Sequence, residues 1–130
     1  NGFVESQTLQ EMTLVLKQLF ADESLVSRQL VQEILNYKLM EGVKSTLKEI
    51  SETFFAINQQ TNLAENLVDS YIPILLIWGR EDKIIPVSHA QNFYAAAGKN
   101  VEIKILESAG HMVHMEKAFE VNKFLIDFLK

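Results

Sequence analysis

The sequence predicts an α/β architecture: a helical segment over residues 1–66, then a βαβα unit over 67–130 whose two strands run parallel. Three observations carry that expectation. Before residue 67 the chain has no proline and only two glycines, Gly2 and Gly42, and its apolar residues recur in steps of three and four, the period of amphipathic helices. After Tyr71 comes a short stretch apolar at every position from Ile74 to Trp78, closed by Gly79. A helical stretch then separates it from an alternating one, Val101 to Leu106. Strand, helix, strand, helix in that order favours parallel pairing through a crossover.

The elements follow one by one. Leu9, Met12, Leu16, Leu19 and Phe20 form a first helical stripe, and Leu25, Leu30, Ile34, Leu35 and Leu39 a second, which Asp22 or Ser24 could cap. Gly42 punctuates, and Val43, Leu47, Ile50, Phe54 and Ile57 mark a third stripe, followed by a polar loop over 58–62. The run from Ile72 to Trp78 suits a strand covered on both faces, with Pro73 tolerated at its start. Val87 to Ala97 reads as a helix, with Ser88 as a possible cap and Gly98 as its stop. Val101 to Leu106 is the second strand, and Val121, Phe124, Leu125, Phe128 and Leu129 give the stripe of a last helix. Trp78, Phe119, Phe124 and Phe128 fall at core spacing. Two parallel strands alone are not a stable sheet, so the expectation is a larger sheet whose earlier strands precede Asn1.

Composition narrows the function classes. Twelve Lys and Arg against seventeen Asp and Glu give a net charge of −5, with no basic stripe of the kind a nucleic-acid binder needs. Without cysteine there is no disulfide scaffold, thiolate zinc site or cysteine nucleophile, and a reducing, cytoplasmic setting is expected. The longest apolar run falls far below the roughly 20 residues of a membrane-spanning helix. The opening Asn1-Gly2-Phe3 has neither an initiator Met nor the basic and apolar regions of a signal peptide.

In open parallel sheets, reactive side chains gather at the C-terminal ends of the strands. Two segments belong there: Gly79-Arg80-Glu81-Asp82 after the first strand and Glu107-Ser108-Ala109-Gly110-His111 after the second. Asp82 and His111 would thus meet at one sheet edge. A carboxylate that accepts the Nδ1 proton of an imidazole fixes its tautomer and stabilises the imidazolium formed during proton transfer. Gly110 lets the chain turn sharply just before the histidine.

The segment from Pro73 to Pro86, an apolar strand running into Gly79-Arg80-Glu81-Asp82 with a proline shortly after, resembles the acid-bearing segment of the α/β-hydrolase fold. Ser108 to Glu116 resembles the histidine loop of the same fold, followed by its last helix. The resemblance covers about Ile72 to Lys130. It implies the C-terminal portion of an α/β-hydrolase fold, with Asp82 as the orienting acid and His111 as the general base of a Ser-His-Asp triad. The helical segment then corresponds to the variable cap of that superfamily. Leu19 to Asp22, Val26 to Gln29, Tyr37-Lys38, Gly42-Val43 and Ile84 to Ala90 are similar to one subgroup. That subgroup is the hydrolase-like C-terminal domain of the acetyltransferase (E2) subunit of acetoin dehydrogenase. It implies acetyl transfer between lipoyl and coenzyme A inside a multienzyme complex, although no Asp-Lys-Ala lipoylation motif is present. The triad itself requires no cofactor.

The pattern departs from the superfamily in one respect. No Gly-x-Ser-x-Gly nucleophile elbow occurs in the 130 residues. Acyl transfer or ester hydrolysis on a small acyl or ester substrate is therefore expected of a parent protein, and negligible esterase activity of this chain alone. A generic serine esterase is one alternative. A non-catalytic assembly module of a multienzyme complex, with Asp82 and His111 as relics, is the other. Met112 and Met115 flank the histidine loop and are candidates to line an acyl pocket. His114 and Glu116 read as polar groups of the loop and helix start, His89 as a surface residue, and no histidine spacing suggests a metal. Sheet edges and apolar faces without neighbours lead to an expected homo-oligomer.

Overall fold

A computed structural model describes residues 2–56 and 72–130. The chain divides into two compact units, Asn1–Gln18 with Val26–Gln60 and Leu19–Leu25 with Thr61–Lys130. Ile57, the expected loop over 58–62 and the expected division near residue 66 lie outside the described residues.

The first unit is helical. It comprises α1 (Gly2–Glu5), α2 (Leu9–Lys17), α3 (Arg28–Lys38) and α4 (Val43–Ala56). Thr8 begins α2 with a reciprocal capping box: its hydroxyl accepts the Glu11 N–H, while the Glu11 carboxylate accepts the N–H groups of Gln7 and Thr8. Met12 and Leu16 of α2 and Val31 and Leu35 of α3 are buried, and these two helices pack on one another. Lys38 is buried as well, its Nζ donating to the carbonyls of Phe3 and Ser6. Those acceptors lie at the end of α1, where carbonyls lack helical partners. Gly42 adopts φ +80° between α3 and α4, a left-handed turn that only glycine makes without strain.

Three expectations here need correction. The first stripe does not continue as helix to Phe20, since α2 stops at Lys17 and the segment Leu19–Leu25 joins the second unit. Its backbone groups bond instead to the histidine loop. The cap of α3 is Ser27, whose Oγ accepts the Leu30 N–H. Asp22 closes the preceding 3-10 turn Glu23–Leu25 by accepting from the Ser24 N–H and hydroxyl. Leu25 and Leu39 fall outside the helix on exposed ends, and Val31 completes the buried side.

The second unit holds β1 (Ile74–Gly79), α5 (Val87–Ala97), β2 (Val101–Leu106), α6 (Val113–Glu116) and α7 (Ala118–Phe128). Among the described residues, β1 and β2 form a two-stranded parallel sheet, with Ile74 opposite Val101 and Gly79 opposite Leu106. This register puts Ile74, Leu76, Val101 and Ile103 on one face. There Phe93 and Ala97 of α5 meet Ile74, Leu76 and Val101. The other face carries Glu102 and Lys104, which pair at 2.7 Å, and Lys104 lies over the Phe124 ring of α7. β1 is only half-buried along most of its length. Ser88 is inside α5 rather than capping it. Phe119 is 79% exposed and not a core residue, whereas Phe124 and Phe128 are partly buried. It occupies the outer side of the first turn of α7, opposite the buried Val121.

Candidate active site

Both strands end at the same level, so their following loops lie side by side. The ladder continues one bond past the sheet, Arg80 N–H to Leu106 O at 2.9 Å. Gly79 then meets the second loop directly. A Cβ on it would sit 2.2 Å from the carbonyl oxygen of Gly110 and 2.3 Å from that of Ala109, distances no side chain tolerates. The loops are stitched by a reciprocal pair: the Glu81 N–H donates to Ala109 O at 3.0 Å, and the Ala109 N–H donates to the Glu81 carboxylate at 3.0 Å. Ser108 reverses the chain after β2 with φ +54°, an unfavourable conformation for a residue with a side chain.

The result is a carboxylate–imidazole pair. Asp82 Oδ2 lies 2.9 Å from His111 Nδ1. The Asp82 side chain is 4% exposed, and its other oxygen, Oδ1, accepts the N–H groups of Ile84 and Ile85 at 2.8 and 2.9 Å. Both oxygens of this buried carboxylate are engaged, which fixes its orientation toward the ring. An ionised carboxylate only accepts. With Asp82 ionised, Nδ1 is the donor, and in a neutral ring the opposite nitrogen, Nε2, carries the lone pair. The His111 side chain is 33% exposed. Such a ring can take a proton at Nε2 while Asp82 stabilises the charge formed.

A small cavity of about 120 Å3 adjoins the pair, lined by Ile77, Trp78, Gly79, Asp82, His111 and Val113. Trp78 is held by its Nε1–H donating to Ile85 O at 3.0 Å. Met112 and Met115 do not line that cavity. The Met112 N–H donates to Leu19 O at 3.1 Å, and Met115 is 45% exposed. His89 and His114 are exposed and do not line that cavity.

Sequence reasoning missed Glu116. Its carboxylate accepts the Gly110 N–H at 2.6 Å through Oε1, and the Ala21 and Asp22 N–H groups at 2.7 and 3.1 Å through Oε2. It also missed Glu81 as a loop staple. Neither carried a signal of its own, because the partners are backbone groups that any sequence provides.

Parallel strands whose following loops bring a buried carboxylate onto the Nδ1 of a histidine fit the C-terminal part of an α/β-hydrolase fold. Comparison with known families agrees: the profile of the serine aminopeptidase S33 family matches residues 9–118. The chain belongs to that family of α/β-hydrolases. Among curated proteins it is 38% identical over 125 residues to the dihydrolipoyllysine-residue acetyltransferase component of the acetoin cleaving system of Cupriavidus necator, a match spanning 95% of this chain and 32% of that protein. The counterpart from Pseudomonas putida is 35% identical over 129 residues, covering 99% and 33%. A monoacylglycerol lipase of Mus musculus is 35% identical over 68 residues, covering 52% of this chain and 20% of the lipase. The chain therefore spans about a third of the length of the acetoin-system relatives it matches. Among solved structures, a serine hydrolase of carbazole degradation superposes with a TM-score of 0.78 at 20% identity, over 95% of this chain and 48% of that one. A meta-cleavage product hydrolase gives 0.76 at 18%, over 98% and 47%. These two establish the likeness of fold.

Proposed function

We propose that this chain supplies the acid and the general base of an acyl-transferring Ser-His-Asp site, and that the acyl group is the acetyl group handled by an acetoin-cleaving complex. The observation that carries the reading is the contact between Asp82 Oδ2 and His111 Nδ1, with Oδ1 saturated by backbone donors. In this reading a serine hydroxyl from outside these 130 residues attacks the acyl carbonyl and gives its proton to His111 Nε2. The bond to the leaving group breaks, and His111 returns the proton to the departing atom. An acceptor then attacks the acyl-serine with His111 removing its proton, the bond to the serine oxygen breaks, and His111 returns the proton to that oxygen. Asp82 remains ionised throughout.

The two acetoin-system relatives are dihydrolipoyllysine-residue acetyltransferase components, which supports a dihydrolipoyl thiol as the proposed acyl carrier; coenzyme A is its proposed exchange partner. Their thiols are the departing and the attacking groups of the proton transfers above. They are substrates of the site rather than parts of it.

The test uses the native polypeptide that carries this sequence, with p-nitrophenyl acetate as acyl donor. Asp82→Asn keeps the side-chain shape but presents an amide that favours the wrong tautomer, and kcat is expected to fall on the order of 10⁴-fold. His111→Ala is expected to fall at least as far. Wild-type turnover in both variants would remove the triad, and a wild type no faster than the uncatalysed reaction would favour a non-catalytic assembly role. The 130-residue chain alone is expected to cleave this ester no faster than its own His111→Ala variant.

A further inference from the structure

We infer that Glu116 is a positioning residue for His111, acting through the loop backbone rather than on the substrate. The inference rests on the acid–base reading above. His111 is held on one side by Asp82, but that contact fixes only the ring. The backbone that carries the ring must be held separately, and the segment Ser108–Met112 lies in no helix or strand that would hold it.

Beside the Glu81–Ala109 pair, Glu116 provides that hold at the residue next to the histidine. One carboxylate oxygen takes the N–H of Gly110, the residue immediately before the histidine, at 2.6 Å. The other takes two consecutive N–H groups, Ala21 and Asp22, at 2.7 and 3.1 Å. One charge thus joins the histidine loop to the segment Leu19–Leu25, which belongs to the same compact unit although it lies nearly a hundred residues earlier. Hydrogen bonds to an ionised acceptor are about twice as strong as neutral ones.

Two further contacts make this a defined seat. The Met112 N–H, just after the histidine, donates to Leu19 O at 3.1 Å. Gly110 lies so close to the Leu19–Ala21 backbone that a Cβ on it would be 2.7 Å from Ala21 N and 2.9 Å from Leu19 O. The residues on either side of His111 are therefore both fixed to one short stretch, Gly110 through the Glu116 carboxylate and Met112 directly. Its hydrogen bonds are all to main-chain donors, so a glutamine cannot replace it: an amide offers one oxygen and one NH2 where two acceptors are needed. Either Gly110 or the Ala21–Asp22 pair must then face a donor.

The experiment compares wild type, Glu116→Gln and His111→Ala in the native polypeptide with p-nitrophenyl acetate, and records the proton NMR signal of the His111 Nδ1–H. For Glu116→Gln the inference expects kcat to fall on the order of 10²-fold, the cost of a displacement near 1 Å at a reacting group. KM should be unchanged, and the Nδ1–H signal should broaden or move. An unchanged kcat and an unmoved signal would overturn the inference while His111→Ala still abolished turnover. Full activity of His111→Ala would instead overturn the acid–base reading on which it stands. Should Glu116→Gln fail to fold, Glu116→Asp keeps the charge but shortens the reach, and the same two readouts decide.

Discussion

At the scale of the residue, the site depends on atoms that have been left with only one thing to do. Asp82 has both oxygens engaged, so its role toward the imidazole follows from burial and bonding rather than from being an aspartate in a loop. That contact was legible in the sequence, because an acid and a histidine after successive strands of a parallel pair converge by topology. The role of Glu116 was not legible, since nothing local links it to Ala21 and Asp22. Gly79 belongs to the same class of silent requirement. Its missing side chain allows the two loops to touch, with Gly110 O where a Cβ would be. Gly79→Ala is expected to cost about 1–3 kcal/mol of stability, the usual penalty for forcing atoms into a filled space. Urea unfolding of the variant against wild type measures it, and an unchanged midpoint would show that the loops can part without cost.

Elements were readable where periodicity ruled and misread where the chain serves a distant partner. The spacing over Val87–Ala97 and the alternation over Val101–Leu106 both gave the observed bounds. The first stripe looked helical through Phe20, yet Leu19, Ala21 and Asp22 offer their backbone groups to the histidine loop and to Glu116, which a helix would have consumed. Caps also carry a pH dependence. In α2 the N–H groups of Gln7 and Thr8 hold the Glu11 carboxyl below the usual glutamate value. A depressed carboxyl adds stability that is fully present above its unfolded pKa and is lost as the pH falls through its folded one. The chain should therefore lose stability on the acid side of the ordinary glutamate pKa, and Glu11→Gln should flatten that part of the curve. Urea midpoints across an acid pH series are the check. A slope that survives the substitution would assign it to other carboxylates.

Over the whole molecule, the parallel pair is the feature with the largest consequence. Among the described residues it is a sheet of two strands, half-buried along β1, and Phe119, Ile126 and Leu129 of the last helical segment are exposed. Such edges and apolar faces favour association. Sedimentation of the isolated chain is expected to show dimers or larger species, and a single monomeric boundary at micromolar concentration would contradict this. The relatives are longer by about threefold, and the fold class emerged from the order of elements even so. Two strands with their loops were enough, because the loops carry the motif. What covers the sheet could not be read the same way, since packing partners leave no periodic signal in the strands they cover.

The most direct test of the acid–base pair is labelling of the native polypeptide with a fluorophosphonate, which reacts with a serine only when a neighbouring base has activated it. Wild-type protein is expected to carry one modified serine, and His111→Ala to carry none after the same exposure. A serine labelled equally in both proteins, or in neither, would contradict an acyl-transfer site built on Asp82 and His111.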